Sequence, residues 1–383
     1  MKILAVLCQN PFSYSDGGTF GMRASLRRLV RKGELWVTGW GMDFEQAHVG
    51  PYRSAGALGI AQNSQAAFLL SLAAGRSYSI DKYAHRRAKR AFRRIMEHGN
   101  FDVIWYEKLQ AAGVGLRSGL LGKRPGPIHV LRSHNIEYSM FAERFEMSGQ
   151  LSRWLLGREE QALKVDELEV VSRIDMVLNV TPEDMEQYRS ERPVAAGKLL
   201  VVPMFPEEEG PYVYKQVSGR KFALFVGDCR WRPNLLAAEW IVNQLAPELL
   251  RVCPPAVIRL AGRGTEAFKH RASNVEAMGF VDDIGAEYDQ AVCTVAPIWH
   301  GGGVNIKVIA SLAQGVPVVG SQFARRGTLT DSYLEAETPT QFASHVDQLF
   351  KNPQKAQALG RSAQESMEEL EKQFHEFWHR HFD

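Results

Sequence analysis

The sequence predicts an α/β protein made of two Rossmann-like halves, and three observations support that prediction. Short apolar runs rich in β-branched residues alternate with stretches of helical periodicity, as in parallel sheets covered by helices. The alternation breaks once, at residues 203–211, where prolines, a glycine and a run of glutamates suit an interdomain linker. With 383 residues, the chain also exceeds what one hydrophobic core usually organises.

Before the linker, each short apolar run is expected to form one strand of a parallel sheet. The first run stops at residues 9–11 and is too short for a signal peptide or a membrane span. Residues 39–62, rich in glycine and aromatics, are predicted to be a long loop. The predicted strands are 1–8, Glu34–Thr38, Asp102–Tyr106, Ile128–Leu131, Asp175–Val180 and Leu199–Val202, and the predicted helices include 20–31, 151–171 and one that begins at Thr181-Pro182.

After the linker the alternation of strands and helices restarts. Pro233 suits the first turn of a helix, and two helices over about 338–350 and 353–381 close the chain. The predicted strands are Phe222–Val226, Val257–Ala261, 292–297 and 316–319. We therefore predict one domain over residues 1–205, a second over 206–365 and a terminal helix over 366–383.

Residues 292–319 are predicted to form a strand, a glycine loop, a helix, a turn and a strand. Val304, Val308 and Leu312 are spaced by four, which would place one apolar helix face on the sheet. The open N-terminus of this helix would attract an anion, and a lysine one turn in would add a positive charge. A phosphate site and a plain structural turn are the two interpretations. The phosphate site would consist of Gly301, Gly302, Gly303, Val304, Asn305 and Lys307.

The segment consists of Gly301-Gly302-Gly303-Val304-Asn305-Ile306-Lys307, a helix and Gly315-Val316-Pro317-Val318-Val319. Taken whole, it resembles the nucleotide-sugar signature of GT-B glycosyltransferases of family 4, the glycosyl transferases group 1. The resemblance implies a GT-B fold, in which two Rossmann-like α/β/α domains face each other across a cleft and the last helix returns to the first domain. It also implies a nucleoside diphosphate sugar bound by the loop amides and Lys307. Ala310 stands where the family usually has a glutamate for the ribose, so that contact lacks its carboxylate here.

Two motifs of the first half also match the resembled family. Gly17 and Gly18 follow the first strand; locally they form a plain βα turn, and the resemblance places them near the donor phosphate and the acceptor. His134 lies just past a predicted strand, at the edge where open α/β sheets bind ligands. Locally it is explained as a loop residue beside a helix cap. The resemblance of His134-Asn135-Ile136-Glu137 to a His-Asn-x-Glu motif implies that His134 contacts the donor sugar or the acceptor.

Loop sequences of the second half also resemble motifs of this family. Residues 226–234 resemble its Val-Gly-x-x-x-Trp-x-Pro-Asn segment, and the arginines in it would reach the diphosphate or, alternatively, lie on the surface beside a packed tryptophan. Residues 279–283 are similar to a loop that passes near the nucleotide base, although their aspartates also suit a helix cap. The residues expected to bind the donor are Gly227, Arg230, Arg263 and Phe280, and Arg232, Lys307 and His134 are expected to act in catalysis.

The strongest cluster of charge lies at residues 82–94. It contains Lys82, Arg86, Arg87, Lys89, Arg90, Arg93 and Arg94, interleaved with small and apolar residues at helical spacing. This pattern predicts a helix with a narrow apolar stripe and a basic face. The face is explained either as ordinary solvated surface or as a contact with an anionic membrane or a phosphate-bearing acceptor. No RNA- or DNA-binding motif accompanies it, so a nucleic-acid partner is not expected.

The composition is that of an ordinary globular protein, with 45% hydrophobic and 23% charged residues and a net charge of +3. The four cysteines lie far apart, which favours buried thiols in a reducing cytosol over disulfides. The sequence contains neither an Asp-x-Asp pair nor clustered metal ligands, so no metal and no resident cofactor are expected. A cytoplasmic location is expected, with peripheral contact at the inner face of the membrane as an alternative.

These observations predict a glycosyltransferase that moves a sugar from a nucleotide-sugar donor to a glycan, glycolipid or other acceptor. The resemblance to family 4 further implies that the reaction is retaining and metal-independent and that it serves polysaccharide assembly. Helix N-termini and Lys307 would stabilise the departing diphosphate, which would itself take the acceptor proton while His134 orients a substrate. Two alternatives stay open. A non-catalytic GT-B binding or scaffold protein is favoured by Ala310. A GT-B nucleotide-sugar epimerase would need acidic residues near His134.

Overall fold

The computed structural model describes residues 1–12, 17–41, 51–142, 150–195, 197–207, 222–328, 330 and 332–382. The chain splits into two compact units, Met1–Pro203 and Met204–Asp383, each with its own parallel sheet and hydrophobic core. This division lies two residues before the predicted one. Of the predicted linker, residues 208–211 lie outside the described part of the chain, and the course of the last helix towards the first domain stays a prediction.

The first domain is built on a parallel sheet whose central strands are apolar because helices cover both of its faces. The strands are β1 Lys2–Leu7, β2 Glu34–Trp40, β3 Arg53–Gly59, β4 Val103–Glu107, β5 Ile128–Ser133, β6 Met176–Asn179 and β7 Leu199–Val201, in the spatial order β3-β2-β1-β4-β5-β6-β7. The helices are α1 Gly17–Leu29, α2 Gln65–Ala73, α3 Tyr78–Asp81, α4 Arg86–Gly99, α5 Leu109–Ser118, α6 Glu137–Ala142, α7 Gln150–Arg173 and α8 Pro182–Glu191.

The second domain repeats this architecture with a smaller parallel sheet. Its strands are β8 Phe222–Val226, β9 Val257–Ala261, β10 Val275–Gly279, β11 Ala291–Ala296, β12 Val318–Gly320 and β13 Tyr333–Glu335, in the order β10-β9-β8-β11-β12-β13. Its helices are α9 Arg232–Trp240, which continues through a π turn at Ile241–Leu245 into α10 Ala246–Val252, then α11 Ile284–Gln290, α12 Ile306–Ala313, α13 Pro339–Lys351 and α14 Pro353–Phe382.

The prediction of a loop throughout residues 39–62 is wrong, because β3 lies within that stretch and pairs in parallel with β2 at the edge of the sheet. Of its seven residues, only Leu58 is buried. The stretch therefore lacks both the apolar run and the alternation by which strands are recognised, and backbone pairing accounts for it. The three-residue strand β13 was too short to be predicted.

Two helices of the first domain begin elsewhere than predicted. The basic helix α4 starts at Arg86 rather than near Lys82, because the Nδ1 atom of His85 accepts a hydrogen bond from the amide of Ala88 and so caps the helix. Helix α1 starts at Gly17, so the predicted glycine turn forms the first turn of the helix. Residues 13–16 lie outside the described part of the chain.

Each sheet has one topological switch point, at which the strand order reverses. In the first domain it lies between β1 and β4, and in the second between β8 and β11. Open α/β sheets bind ligands outside the carboxyl ends of their strands at such points. The second switch point is flanked by Gly227 after β8 and by the glycine loop 301–303 after β11. The fold therefore places two of the predicted loops at the expected binding edge.

Candidate active site

The glycine loop and the start of α12 form one side of the switch point in the second domain. Gly301 and Gly303 have φ angles of 129° and 64°, in the region that L side chains rarely adopt. Asn305 is the N-cap residue of α12, but its side chain makes no capping hydrogen bond. Its Nδ2 atom instead donates to the carbonyl of Ala324 at 3.4 Å. The side chain of Asn305 thus accepts none of the first amides of α12, and its backbone carbonyl accepts from the amide of Val308 at 2.9 Å.

Lys307, the second residue of α12, reaches across the switch point to α9. Its Nζ atom donates to Oδ1 of Asn234 at 2.5 Å, and Nδ2 of Asn234 donates to the carbonyl of Asp228 at 3.0 Å. Nζ also lies 4.8 Å from the ring centroid of Phe225, within cation–π range. Desolvation lowers the pKa of Lys307 to about 7. These partners are uncharged, so they hold the amine in place and leave its charge unpaired whenever it is protonated.

The loops after β8, β9 and β10 are tied together by backbone hydrogen bonds. The amide of Gly227 donates to the carbonyl of Ala261 at 2.9 Å, and that of Gly262 donates to the carbonyl of Gly279 at 2.7 Å. Gly262 has a φ of 131°, and a Cβ there would lie 2.1 Å from the carbonyl oxygen of Gly227. Only glycine allows this approach, which fixes the three strand ends beside one another.

The predicted side chains on these loops have different partners. The guanidinium of Arg263 lies 4.7 Å from the ring centroid of Phe280, whose side chain is 60% exposed. Arg230 instead pairs with Asp228, with Nη2 and Oδ2 separated by 2.5 Å, and this pairing lowers the pKa of Asp228. Arg232 is exposed as the first residue of α9. Contacts of these residues with a diphosphate or a base stay predictions.

Position 310 offers no charged or hydroxyl group to a ligand. Ala310 packs against the apolar cluster around Tyr288, on the sheet side of α12. The next residue, Ser311, is fully buried; its Oγ atom lies 2.5 Å from Oγ1 of Thr294 and donates to the carbonyl of Val316 at 3.0 Å. The hydroxyl of Ser311 is therefore used inside the domain and does not replace the missing carboxylate.

His134 lies directly after β5 in the first domain and is buried. Its Nε2 atom is 2.7 Å from Oε2 of Glu107, the last residue of β4, and Nε1 of Trp105 donates to the other oxygen of that carboxylate at 2.7 Å. Burial lowers the pKa of His134, while the Glu107 carboxylate opposes that shift. A neutral imidazole that donates Nε2–H to Glu107 keeps Nδ1 as its accepting nitrogen.

Arg132, two residues before His134, secures the end of β5. Its buried guanidinium donates to the carbonyl of Val202 and, at 2.6 Å, to that of Pro203. Burial lowers the pKa of Arg132 to about 10, against the attraction of the Glu107 carboxylate. The strand that carries His134 is thereby fixed to the last residues of the first domain.

The helix that follows His134 is held by a buried carboxylate on α7. Glu167 accepts hydrogen bonds from the amides of Glu137 and Tyr138, both at 3.0 Å, and from the hydroxyl of Tyr188 at 2.5 Å. Burial raises the pKa of Glu167 to about 8. Because the two amides belong to the first turn of α6, Glu167 takes the place of an N-cap and positions the loop that contains His134.

The structure groups the predicted site residues into two sets, one in each domain. Lys307, the glycine loop and the loops at Gly227, Arg263 and Phe280 belong to the second domain, whereas His134 belongs to the first. Gly17 and Gly18 are also in the first domain, as the first two residues of α1. The assignment of binding or catalytic roles to these residues stays a prediction.

Two residues of the sites were not predicted. Glu107 carries a signal that the sequence displays, since it is a charged residue directly at the end of a buried strand. Asn234 closes the Trp-x-Pro-Asn motif, but nothing in the motif shows that its amide holds Lys307 from 73 positions away.

The described residues contain neither a metal-binding cluster nor a membrane-spanning helix. No group of three or more His, Cys, Asp or Glu residues there could hold a metal ion. No helix in the same part of the chain has both the length and the apolar character needed to span a bilayer. All four cysteines are buried, and none forms a disulfide.

Comparison with known protein families gives a direct match to the second domain. Residues 220–352 match the family model described as glycosyl transferases group 1. The resemblance drawn from the sequence is thereby confirmed. The matched range contains the glycine loop, Lys307 and the loops after β8, β9 and β10, which together form the candidate site of this domain.

The similarity of fold extends over the whole chain. The crystal structure of Anabaena Alr3699/HepE in complex with UDP-glucose matches with a TM-score of 0.64 and 12% identity, covering 99% of this chain and 100% of that one. The structure of WaaG, a glycosyltransferase involved in lipopolysaccharide biosynthesis, matches with a TM-score of 0.61 and 12% identity, covering 96% and 95%. The fold is GT-B. A Klebsiella pneumoniae protein described as an uncharacterized 44.6 kDa protein in the cps region is 20% identical over 282 residues, 70% of each chain.

Replacement of Lys307 by methionine should stabilise the unliganded protein, most strongly at low pH. The pKa of Lys307 is about 7 in the folded state, below its ordinary value of 10.5, so the unfolded chain binds more protons between those two pH values. The wild-type protein should therefore gain stability from this residue as the pH rises through that window, and the advantage of Lys307→Met should shrink. Urea unfolding at pH 6 and pH 9 measures the difference. Lys372→Met, at an exposed lysine, serves as the control; a pH-independent difference for Lys307→Met would contradict the assignment.

Proposed function

We propose that this protein transfers a glycosyl group from a UDP-sugar to a glycan or lipid-linked acceptor, with retention of anomeric configuration. The observation that carries the proposal is the ammonium of Lys307, held by Asn234 at the switch point beside the start of α12. The match to glycosyl transferases group 1 over this domain supports it, as does the fold shared with HepE, whose structure holds UDP-glucose. The cps-region relative supports a role in polysaccharide assembly.

A diphosphate seated on the glycine loop would meet two sources of positive charge. One is the N-terminus of α12 and the other is Lys307, whose uncharged partners leave its charge available. When the bond between the anomeric carbon and the leaving phosphate breaks, negative charge develops on that phosphate. Groups already fixed at this position stabilise the charge without reorganisation. We propose that they, rather than a metal ion, neutralise the leaving group.

The acceptor hydroxyl must lose a proton as the new glycosidic bond forms. In a retaining reaction of this kind, an oxygen of the leaving phosphate takes that proton on the face from which it departs. His134 then acts through orientation: with Nε2–H fixed on Glu107, its Nδ1 atom can accept a hydrogen bond from a substrate hydroxyl. In this proposal Glu107 determines which ring nitrogen faces the substrate.

The exposed face of α4 is proposed to touch an anionic membrane surface from the cytoplasmic side. Ala88 and Phe92 face the core, whereas Arg87, Arg90 and Arg94 are exposed. Basic side chains near an anionic surface contribute about 1 kcal/mol each at moderate ionic strength. Arg90→Gln/Arg94→Gln should reduce cosedimentation with phosphatidylglycerol vesicles, and added salt should have the same effect on the wild type. Salt-independent vesicle binding, or binding unchanged in the double variant, would rule this contact out.

Two other functions make different predictions for the same protein. A binding or scaffold protein would bind a UDP-sugar without turning it over. An epimerase would invert one carbon of the donor sugar without acceptor-dependent release of UDP. Glu107 supplies one acidic residue beside His134, as an epimerase would need, but both of its oxygens are engaged by His134 and Trp105.

A donor screen should identify UDP-sugars as ligands and separate these functions. UDP-glucose and UDP-N-acetylglucosamine are expected to raise the melting temperature, whereas GDP- and ADP-sugars are not. At a ligand concentration one hundred times the dissociation constant, the gain is about 2.7 kcal/mol. Lys307→Ala should abolish the shift and Lys372→Ala should not. NMR of the donor then distinguishes transfer, epimerisation and binding without turnover; no shift with any donor in the folded protein would refute the proposal.

Introducing the missing carboxylate should tighten nucleotide binding. A glutamate at position 310 would reach the ribose hydroxyls if the nucleotide lies along α12, and a charge-assisted hydrogen bond of this kind contributes about 1.5–3 kcal/mol, or at least about tenfold in affinity. Calorimetric titration of Ala310→Glu with UDP measures the gain, and Ala310→Gln controls for size. Equal or weaker binding by Ala310→Glu would mean that the ribose lies elsewhere.

A further inference from the structure

A cavity in the first domain has no part in the donor site. It has a volume of about 240 Å³ and lies among α2, α3, the start of α4 and α5. Five cationic side chains line it and a single carboxylate accompanies them: Arg76, Lys82, Arg86, Lys89 and Arg117, with Asp81.

Two of the five cations are neutralised within the domain. Arg117 pairs with Asp81 at 2.7 Å and also with Asp166, while Arg76 pairs with Asp81 at 3.1 Å. The hydrogen bonds to Asp166 and Asp81 raise the pKa of Arg117, against the effect of burial. These two arginines and two carboxylates therefore form a balanced, rigid floor of the cavity.

The other three cations have no such balance. In the part of the chain that the structure describes, no carboxylate lies within ion-pair distance of Lys82, Arg86 or Lys89. Lys82 instead lies 5.2 Å from the ring centroid of Tyr83. Three like charges that converge on one cavity repel one another, and an anion of two or three charges would remove that repulsion.

The start of α4 adds a second conflict that an anion would resolve. Helices favour acidic residues in the first turn, because the N-terminus carries partial positive charge. Helix α4 has none there and instead begins with Arg86, Arg87 and Lys89. The Nδ1 atom of His85 caps one first-turn amide, that of Ala88, but it adds no negative charge to offset these cations. A phosphate in the cavity would be attracted both by these cationic side chains and by the partial positive charge at the N-terminus of α4.

Apolar side chains adjoin the cavity and indicate what else the ligand carries. Leu70 lines it and is 70% exposed, and its neighbour Leu69 is 54% exposed. Ile60, 78% exposed, adjoins the cavity through its carbonyl, which lies 3.1 Å from Nε2 of the lining residue His85. Exposed aliphatic side chains beside a cationic cavity suit a phosphate ester with an apolar substituent.

We propose that this cavity binds the phosphate or diphosphate group of the acceptor, as a second anion site besides that of the donor. The inference rests on the proposed transferase function, since it assigns the cavity to the acceptor of that reaction. Lys82, Arg86 and Lys89 bind the phosphate, and Leu70 contacts the apolar part. The acceptor is thus a phosphorylated compound, either soluble or lipid-linked.

Binding of inorganic pyrophosphate tests the site. The titration is made on the Lys307→Ala variant, so that the donor site does not contribute. Addition of Lys82→Gln and Lys89→Gln should weaken binding about tenfold or more, because two charge-assisted contacts are lost. Addition of Arg90→Gln and Arg94→Gln removes the same charge from α4 outside the cavity and should leave binding within about twofold. Equal losses in the two variants, or no binding before these changes, would overturn the proposal.

A second arm identifies the source of the phosphate. Phosphatidylcholine vesicles doped with phosphatidic acid are cosedimented with the same variants. In this assay the control is Lys355→Gln with Lys372→Gln, which removes the same charge from exposed positions of the second domain. A loss of cosedimentation in Lys82→Gln/Lys89→Gln beyond that of the control assigns the phosphate to a lipid-linked acceptor, and dependence seen with pyrophosphate alone assigns it to a soluble one. Both outcomes support the site. Neither assay requires turnover, so loss of the donor proposal and loss of this one are distinguishable.

Discussion

The contact between Lys307 and Asn234 is the interaction on which the candidate donor site depends. It joins the two halves of the second sheet at the point where the strand order reverses, because Lys307 follows β11 and Asn234 follows β8. Asn234 is in turn held by the carbonyl of Asp228. The ammonium is therefore positioned by neutral dipoles and a ring, which fix its place but leave its charge for a ligand.

The first domain places polar groups at the carboxyl ends of its strands in a different way. There Glu107, Arg132 and His134 are buried, and hydrogen bonds within the domain use most of their donors and acceptors. Such a network keeps the imidazole in one orientation, since each member restrains the next. Glu167 extends it by holding the first turn of α6. At the carboxyl ends of its strands, the second domain thus offers the unpaired amine of Lys307, and the first offers the oriented imidazole of His134.

The fold and the loops of the second domain were largely predictable because they follow from local patterns. Apolar runs marked the strands that are buried on both faces, and the glycine loop with Lys307 marked the strand–loop–helix segment at the switch point. Strand β3 escaped prediction because backbone pairing at a sheet edge stabilises it rather than a pattern of buried side chains. The partners of Lys307 and His134 escaped for another reason: they lie 73 and 27 positions away, and only the folded sheet brings them together.

The near-neutral pKa of Lys307 couples the donor site to the proton concentration of its surroundings. With a pKa of about 7, a substantial part of the unliganded molecules carry an uncharged amine at neutral pH, and a diphosphate bound there as proposed would draw a proton from the solvent. The heat measured on binding then includes the ionisation heat of the buffer and varies with the buffer chosen. By the same coupling, an alkaline medium favours release of the nucleoside diphosphate and an acidic one favours its retention.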